Sequence, residues 1–187
     1  MAEIATHPAE IDWTSLPQGV EPTSLWVTLH DSYLTSLSSN SQGDIRCEFD
    51  HSYLWEILKL PSDSRFVVTL SGIFGARAIR SIPFLPPEKT VPASKPLYTG
   101  VWRNESVSWR QFEEEQNADD HYLILDPTLA QGANQVCLNL GGMEYLNPES
   151  YTQVFIRACA IHFSCTTIGD MSLEEFIELG EKFWKNS

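Results

Sequence analysis

His30 and Asp31 are the residues that first invite a chemical reading. An imidazole beside a carboxylate is a minimal set for general acid–base work, because the carboxylate can orient the ring and favour its charged form. Such partners must lie within hydrogen-bond reach. Adjacent residues of an extended chain point to opposite faces, so His30 and Asp31 can act together only if the backbone bends between them. Without a bend His30 reads as a strand-edge or turn histidine. His51, His121 and His162 lie far apart, and no HxxxH, HxH or CxxC spacing occurs, so no metal site is expected. No GxGxxG, GxxxxGK[ST] or GxSxG is present, which leaves dinucleotide, P-loop and hydrolase chemistry without a motif, and no cofactor is expected. A nucleophilic cysteine needs partial exposure near a positive group. Cys47 and Cys159 lie near an arginine but face the other way along a strand, and all four cysteines, Cys137 and Cys165 included, read as buried reduced thiols. An enzyme is therefore not the favoured reading.

A second group could bind rather than react. Glu113-Glu114-Glu115, followed by Asp119 and Asp120, is the densest charge in the chain, and Trp102, Trp109, Phe112 and Tyr122 lie close to it. Acid runs are usually a solvated face, and aromatics usually belong to the core. Aromatics beside charge are also the composition of a binding hot spot. Glu113, Glu114, Glu115, Asp119, Asp120 and Trp109 are accordingly the candidate partner-binding residues, over a surface spanning 105–126.

Charge sets which partners the chain accepts. There are 25 acidic and 12 basic residues in 187, a formal net charge of -13. Residues 1–100 carry 11 acids and 7 bases and residues 101–187 carry 14 and 5, so the second half generates most of the field. That field repels phosphate backbones, because nucleic-acid affinity rests on cationic side chains releasing counterions; no nucleic acid is expected as a partner. The same field speeds encounter with a basic protein. No secretory signal is read at the N-terminus, and no apolar run approaches the roughly 20 residues that span a bilayer, so the expected location is the cytoplasm, away from membranes.

The elements that must position these groups follow from periodicity. Residues 1–24 lack a sustained period and read as an N-terminal arm, with Trp13 able to pin it; 25–187 read as one β-rich domain. Leu25 to Leu29 and Asp31 to Leu37 read as short strands. Ser38 to Gly43 is a polar turn, and Ile45, Cys47 and Phe49 then alternate with Asp44, Arg46 and Glu48, so the runs on either side form an antiparallel hairpin. Arg65 to Phe74 is apolar and β-branched, the pattern of a central strand; Gly72 and Gly75 end it, and Ala76 to Ile82 is expected to pair back on it. Five prolines mark residues 83–100 as an extended surface loop. Two further strands are expected at His121 to Leu125 and Gln135 to Leu140, the second ended by Gly141-Gly142. Tyr151 to Cys165 is long for a strand and is expected to bend or bulge near Ala158.

Ser172-Leu173-Glu174-Glu175 is a capping box and opens a helix over 172–185. Leu173, Phe176, Ile177, Gly180, Phe183 and Trp184 form its apolar stripe. Leu179, on the charged side, hints at leftover apolar surface and a homodimer. The fold class read from these elements is α+β, a mainly antiparallel β-sheet or sandwich with a C-terminal amphipathic helix packed on it.

The stretch Leu29-His30-Asp31-Ser32-Tyr33-Leu34, its polar turn and Gly43-Asp44-Ile45-Arg46-Cys47-Glu48-Phe49 resemble the opening hairpin of small bacterial families. Some of these are assigned to toxin immunity, the immunity protein 50 type among them. The resemblance covers about residues 25–50. It implies a cytoplasmic, β-rich protein that neutralises a toxin by binding it. The function expected is thus a non-enzymatic protein-binding module; the alternative is a small-molecule binder or enzyme with a pocket between sheet and C-terminal helix and His30 and Asp31 at its rim.

Overall fold

The expected hairpin is present: β3 (Tyr33–Ser39) pairs antiparallel with β4 (Ile45–Asp50) across a turn in which Gly43 takes a φ of 83°. A computed structural model of the chain describes residues 3–5, 20–83, 102–119, 122–144 and 147–186. Its further strands are β1 (Glu3–Ala5), β2 (Thr23–Ser24), β5 (Phe66–Ser71), β6 (Gly75–Pro83), β7 (Trp102–Val107), β8 (Tyr122–Gln131), β9 (Val136–Glu144), β10 (Asn147–Ala158), β11 (Ala160–Cys165) and β12 (Gly169–Met171). They form one sheet in the order β1-β7-β6-β10-β9-β8-β3-β4-β5-β11-β12, with β2 on β8. Every pairing is antiparallel. The mainly antiparallel sheet with a C-terminal helix is therefore as read.

The sheet is sharply bent at one place. Residues 66–71 pair with β11, and residues 75–81 pair with β10, so the chain runs on through Gly72 in one direction. The expectation that Ala76 to Ile82 pairs back on the preceding strand is corrected: β6 pairs with β10 and β7. Gly72, at φ 67°, makes a kink rather than a turn, and a Cβ there would meet Cys159 at 3.0 Å. Opposite it, the long 147–165 segment breaks at Cys159, whose N–H donates to Ser71 and Gly72 carbonyls. The expected bend near Ala158 is there, and it leaves Cys159 exposed; Cys47, Cys137 and Cys165 are buried, and all four are free thiols.

Gly141 and Gly142 do not end their strand, as expected, but lie inside β9. A Cβ on Gly142 would sit 2.1 Å from the Leu123 carbonyl, beside the register shift between Ile124 and Asp126. These glycines permit close backbone approach at an irregularity, the second meaning of a strand glycine.

Four helices complete the described residues: α1 (Trp26–Leu29), α2 (Ser52–Leu58), α3 (Trp109–Asp119) and α4 (Leu173–Asn186). Leu25 to Leu29 is thus a helical turn rather than a strand. The capping box of α4 forms as read: Ser172 N donates to Glu175 Oε2 at 2.7 Å and Glu175 N to Ser172 Oγ at 3.2 Å. Phe176 is fully buried between Phe66 and Phe163, with ring centroids 5.0 and 4.8 Å away. These rings fill the space between sheet and α4. Leu179 is half-buried and packs against the same core. Gly180 places α4 directly on α1, where a Cβ would lie 2.2 Å from the Val27 carbonyl, and Thr28 Oγ1 donates to the Phe176 carbonyl at 2.9 Å. Most of the arm, Trp13 included, and all of the loop over 84–100 lie outside the described residues; β1 and β2 are the described strands at the arm's two ends.

Candidate functional site

The bend that a His30–Asp31 pair requires is built into the backbone. Asp31 adopts a φ of 61°, the left-handed region that costs a side-chain-bearing residue energy and in which a non-glycine residue marks a local constraint. Its N–H donates to the Ile124 carbonyl at 3.0 Å, which anchors the turn between α1 and β3 on β8. With the chain so turned, His30 Nε2 comes to 3.5 Å from Asp31 Oδ1. His30 Nδ1 lies 2.9 Å from the Leu125 carbonyl. A carbonyl only accepts, so Nδ1 carries a proton, and in the neutral ring Nε2 is the unprotonated nitrogen.

His51 joins this pair from α2, where it is the N-cap. Its Nδ1 accepts from Leu54 N at 3.3 Å, so in the neutral ring Nε2 carries the proton. The side chain is buried, edge-on to Phe183 at 5.5 Å, and Nε2 has no hydrogen-bond partner. Burial pushes its pKa below the ordinary histidine value; its own backbone, the charge of Asp31, the backbone of His30 and the charge of Asp50 pull the other way and do not offset it. His51 is therefore a neutral ring beneath α4.

Above it lies an aromatic stack. Trp26 is parallel to His30 at 4.5 Å and to Trp184 at 5.0 Å, and Trp184 Nε1 donates to the Val27 carbonyl at 3.0 Å. Trp26 and Trp184 nevertheless stay 39% and 40% exposed. Asp31 lies beside His30 in this stack; Glu181, paired with Lys185 at 3.1 Å, is one turn before Trp184 on α4, and Glu174, Glu178 and Glu181 share a face at i, i+4 and i+7. All four carboxylates are exposed.

The acidic run is placed differently. Glu113 Oε1 accepts from Ser39 N at 2.7 Å, Asn117 bonds both the N–H and the carbonyl of Leu37, and Trp109 Nε1 donates to Ser39 Oγ at 3.3 Å. α3 thus takes the place of a neighbouring strand along the free part of β3, satisfying backbone groups that an open edge would expose. Glu115 binds Arg80 at 2.6 Å, and Arg80 in turn binds Glu144 at 2.7 Å. Partial burial opposes ionisation of Glu115, but the Arg80 and Gln111 hydrogen bonds outweigh it and hold the carboxyl below its usual range. Glu114 pairs with the exposed Arg110 at 2.8 Å. Asp119 ends α3 and its side chain is not among those described; Asp120 and His121 lie outside the described residues. Much of the run that reads as a docking patch therefore makes structural bonds.

Chemically, an imidazole pinned through Nδ1 has, when neutral, the form of a general base. Here Nε2 faces a carboxylate, and among the described residues it has no hydroxyl or thiol to activate. The two tryptophans, absent from the sequence-level candidates, define the site better. Their signal was the i, i+4 spacing of Trp26 and His30, which stacks two rings only if the segment is helical. Among the described residues no three His, Cys, Asp or Glu side chains converge as metal ligands, and no helix is long and apolar enough to cross a membrane. No family model, curated protein or solved structure matches this chain.

Proposed function

We propose that the protein is a non-enzymatic binding module of a bacterial cytoplasm, immunity-like in role, which captures a basic protein partner on the face formed by α1 and the end of α4. The observation that carries this reading is the His30–Trp26–Trp184 stack, in which both tryptophans are exposed and Asp31 lies beside His30. Tryptophan dominates interface hot spots because it buries a large rigid surface at low entropic cost, and cationic side chains are attracted to indole faces as well as to carboxylates. A net charge of -13 gives such a partner long-range steering. The resemblance of residues 25–50 to immunity families supports the same reading, since that stretch includes His30 and Asp31.

The test is affinity capture from lysate of the source organism at low and at moderate salt, comparing wild type with the Trp26→Ser/Trp184→Ser variant. A basic protein retained by the wild type, released as salt rises and not retained by the variant is the expected result. Equal retention by both overturns this docking face. Reversing Glu113 to Glu115 is a poorer test, because Glu113 and Glu115 hold the fold.

A further inference from the structure

On β8, β9 and β10, away from the aromatic stack, a second group of polar side chains converges around Gly141. Cross-strand pairing sets Asp126 and Gln153 on either side of Gly141, and Thr128 beside Asn139. A Cβ on Gly141 would lie 2.2 Å from Tyr151 Oη, so glycine is what lets the tyrosine lie across β9. Tyr151 then donates to Asp126 Oδ2 at 2.6 Å, and Gln153 Nε2 donates to Tyr151 Oη at 3.0 Å. Asn139 Nδ2 points to the Asp126 carbonyl and Thr128 Oγ1, at 3.4 and 3.5 Å.

The amide and phenol donors of this group are turned onto neighbours, and two acceptors are left over. Asn139 and Gln153 are only 2% and 5% exposed, yet Asn139 Oδ1 and Gln153 Oε1 have no hydrogen-bond partner. A buried carbonyl oxygen without a donor costs about 1–3 kcal/mol, and native proteins carry few of them. Two such atoms on neighbouring strands beside an exposed carboxylate are complementary to a group rich in N–H donors. Two arginines share this face, Arg77 at 4.9 Å over the Phe155 ring and Arg157 at 5.5 Å over the Phe74 ring. Asp126 is the exposed carboxylate of the group.

We propose that Asp126, Asn139, Gln153 and Tyr151 form a binding site for a small organic cation bearing a guanidinium or primary ammonium group. The cation's N–H groups bond Asn139 Oδ1 and Gln153 Oε1, and its charge is balanced by Asp126, with Tyr151 as the movable cover. Diagonal neighbours on adjacent strands lie about 7–8 Å apart at Cα, a spacing that one guanidinium with its five donors bridges.

The experiment is calorimetric titration of the whole protein with agmatine and with putrescine, and with n-butanol as an uncharged control, on wild type, Asp126→Asn and Asn139→Leu. Saturable binding of one of the amines but not of butanol, weakened at least tenfold in both variants, is expected. Asn139→Leu removes the unpartnered buried oxygen together with the two long Nδ2 contacts, and thermal melts of each unliganded variant, run alongside, separate lost binding from lost structure. No saturable binding to wild type overturns the proposal. Binding that survives both substitutions also overturns it, because the amine is then held by the general acidic field.

Discussion

His51 is the residue in which fold and site meet. Its Nδ1 caps α2 and its ring supports Phe183 of α4, so the ring must stay neutral to remain dry. A histidine whose pKa falls on folding binds fewer protons when folded than when unfolded at every pH between the two values. Stability is then intact above the unfolded value of about 6.5 and declines as pH falls below it. His51→Asn keeps an N-cap acceptor and removes the titration. Thermal melts at a series of pH values from about 7.5 to about 5 should show wild type losing stability on acidification more steeply than His51→Asn, in the window just below the histidine model value. Parallel profiles would mean that another group governs the acid limb. Cys47, whose thiol burial pushes up to about 12, is by contrast inert at all these pH values and serves only as packing.

Among the elements, those whose information is local were legible and those whose information is tertiary were not. α4 announces itself through a capping box and an unbroken apolar stripe, and β3–β4 through alternation and a polar turn. α1 is a single turn, too short for a period to show, and its apolar residues read equally well as a strand. α3 is legible only once β3 is known to need an edge partner: Glu113 and Asn117 look like solvent-facing residues and in fact bond a strand backbone. Gly72 illustrates the same limit, since a glycine marks a change of direction without saying whether the chain turns back or bends onward. Gly180 resolves differently. In an isolated helix Gly→Ala stabilises by about 1 kcal/mol, but here the added methyl would meet the Val27 carbonyl at 2.2 Å, and overpacking against backbone costs about 1–3 kcal/mol. The clash should win. Gly180→Ala is expected to lower the melting temperature and to raise amide exchange across α4 and α1 while leaving β4, β5 and β9 protected. A melting temperature above wild type would show that α4 has room to move off α1.

At the scale of the whole molecule, charge acts on folding and on binding with opposite sign. Within the fold, 25 acids against 12 bases repel one another, and several of the bases are committed to local pairs such as Arg110–Glu114 and Lys185–Glu181, which leaves the excess uncompensated. Across an interface with a basic partner the same excess attracts. Raising ionic strength from about 0.01 to about 0.15 M shortens the screening length from about 30 to about 8 Å, which weakens both effects. Screening the internal repulsion stabilises the fold, whereas screening the attraction slows encounter and weakens capture. The melting temperature of the free protein should therefore rise with added salt over the range in which retention of the partner falls. A melting temperature that falls with salt instead would mean that surface pairs outweigh net repulsion, and retention that is indifferent to salt would mean that Trp26 and Trp184 hold the partner without help from the acidic field.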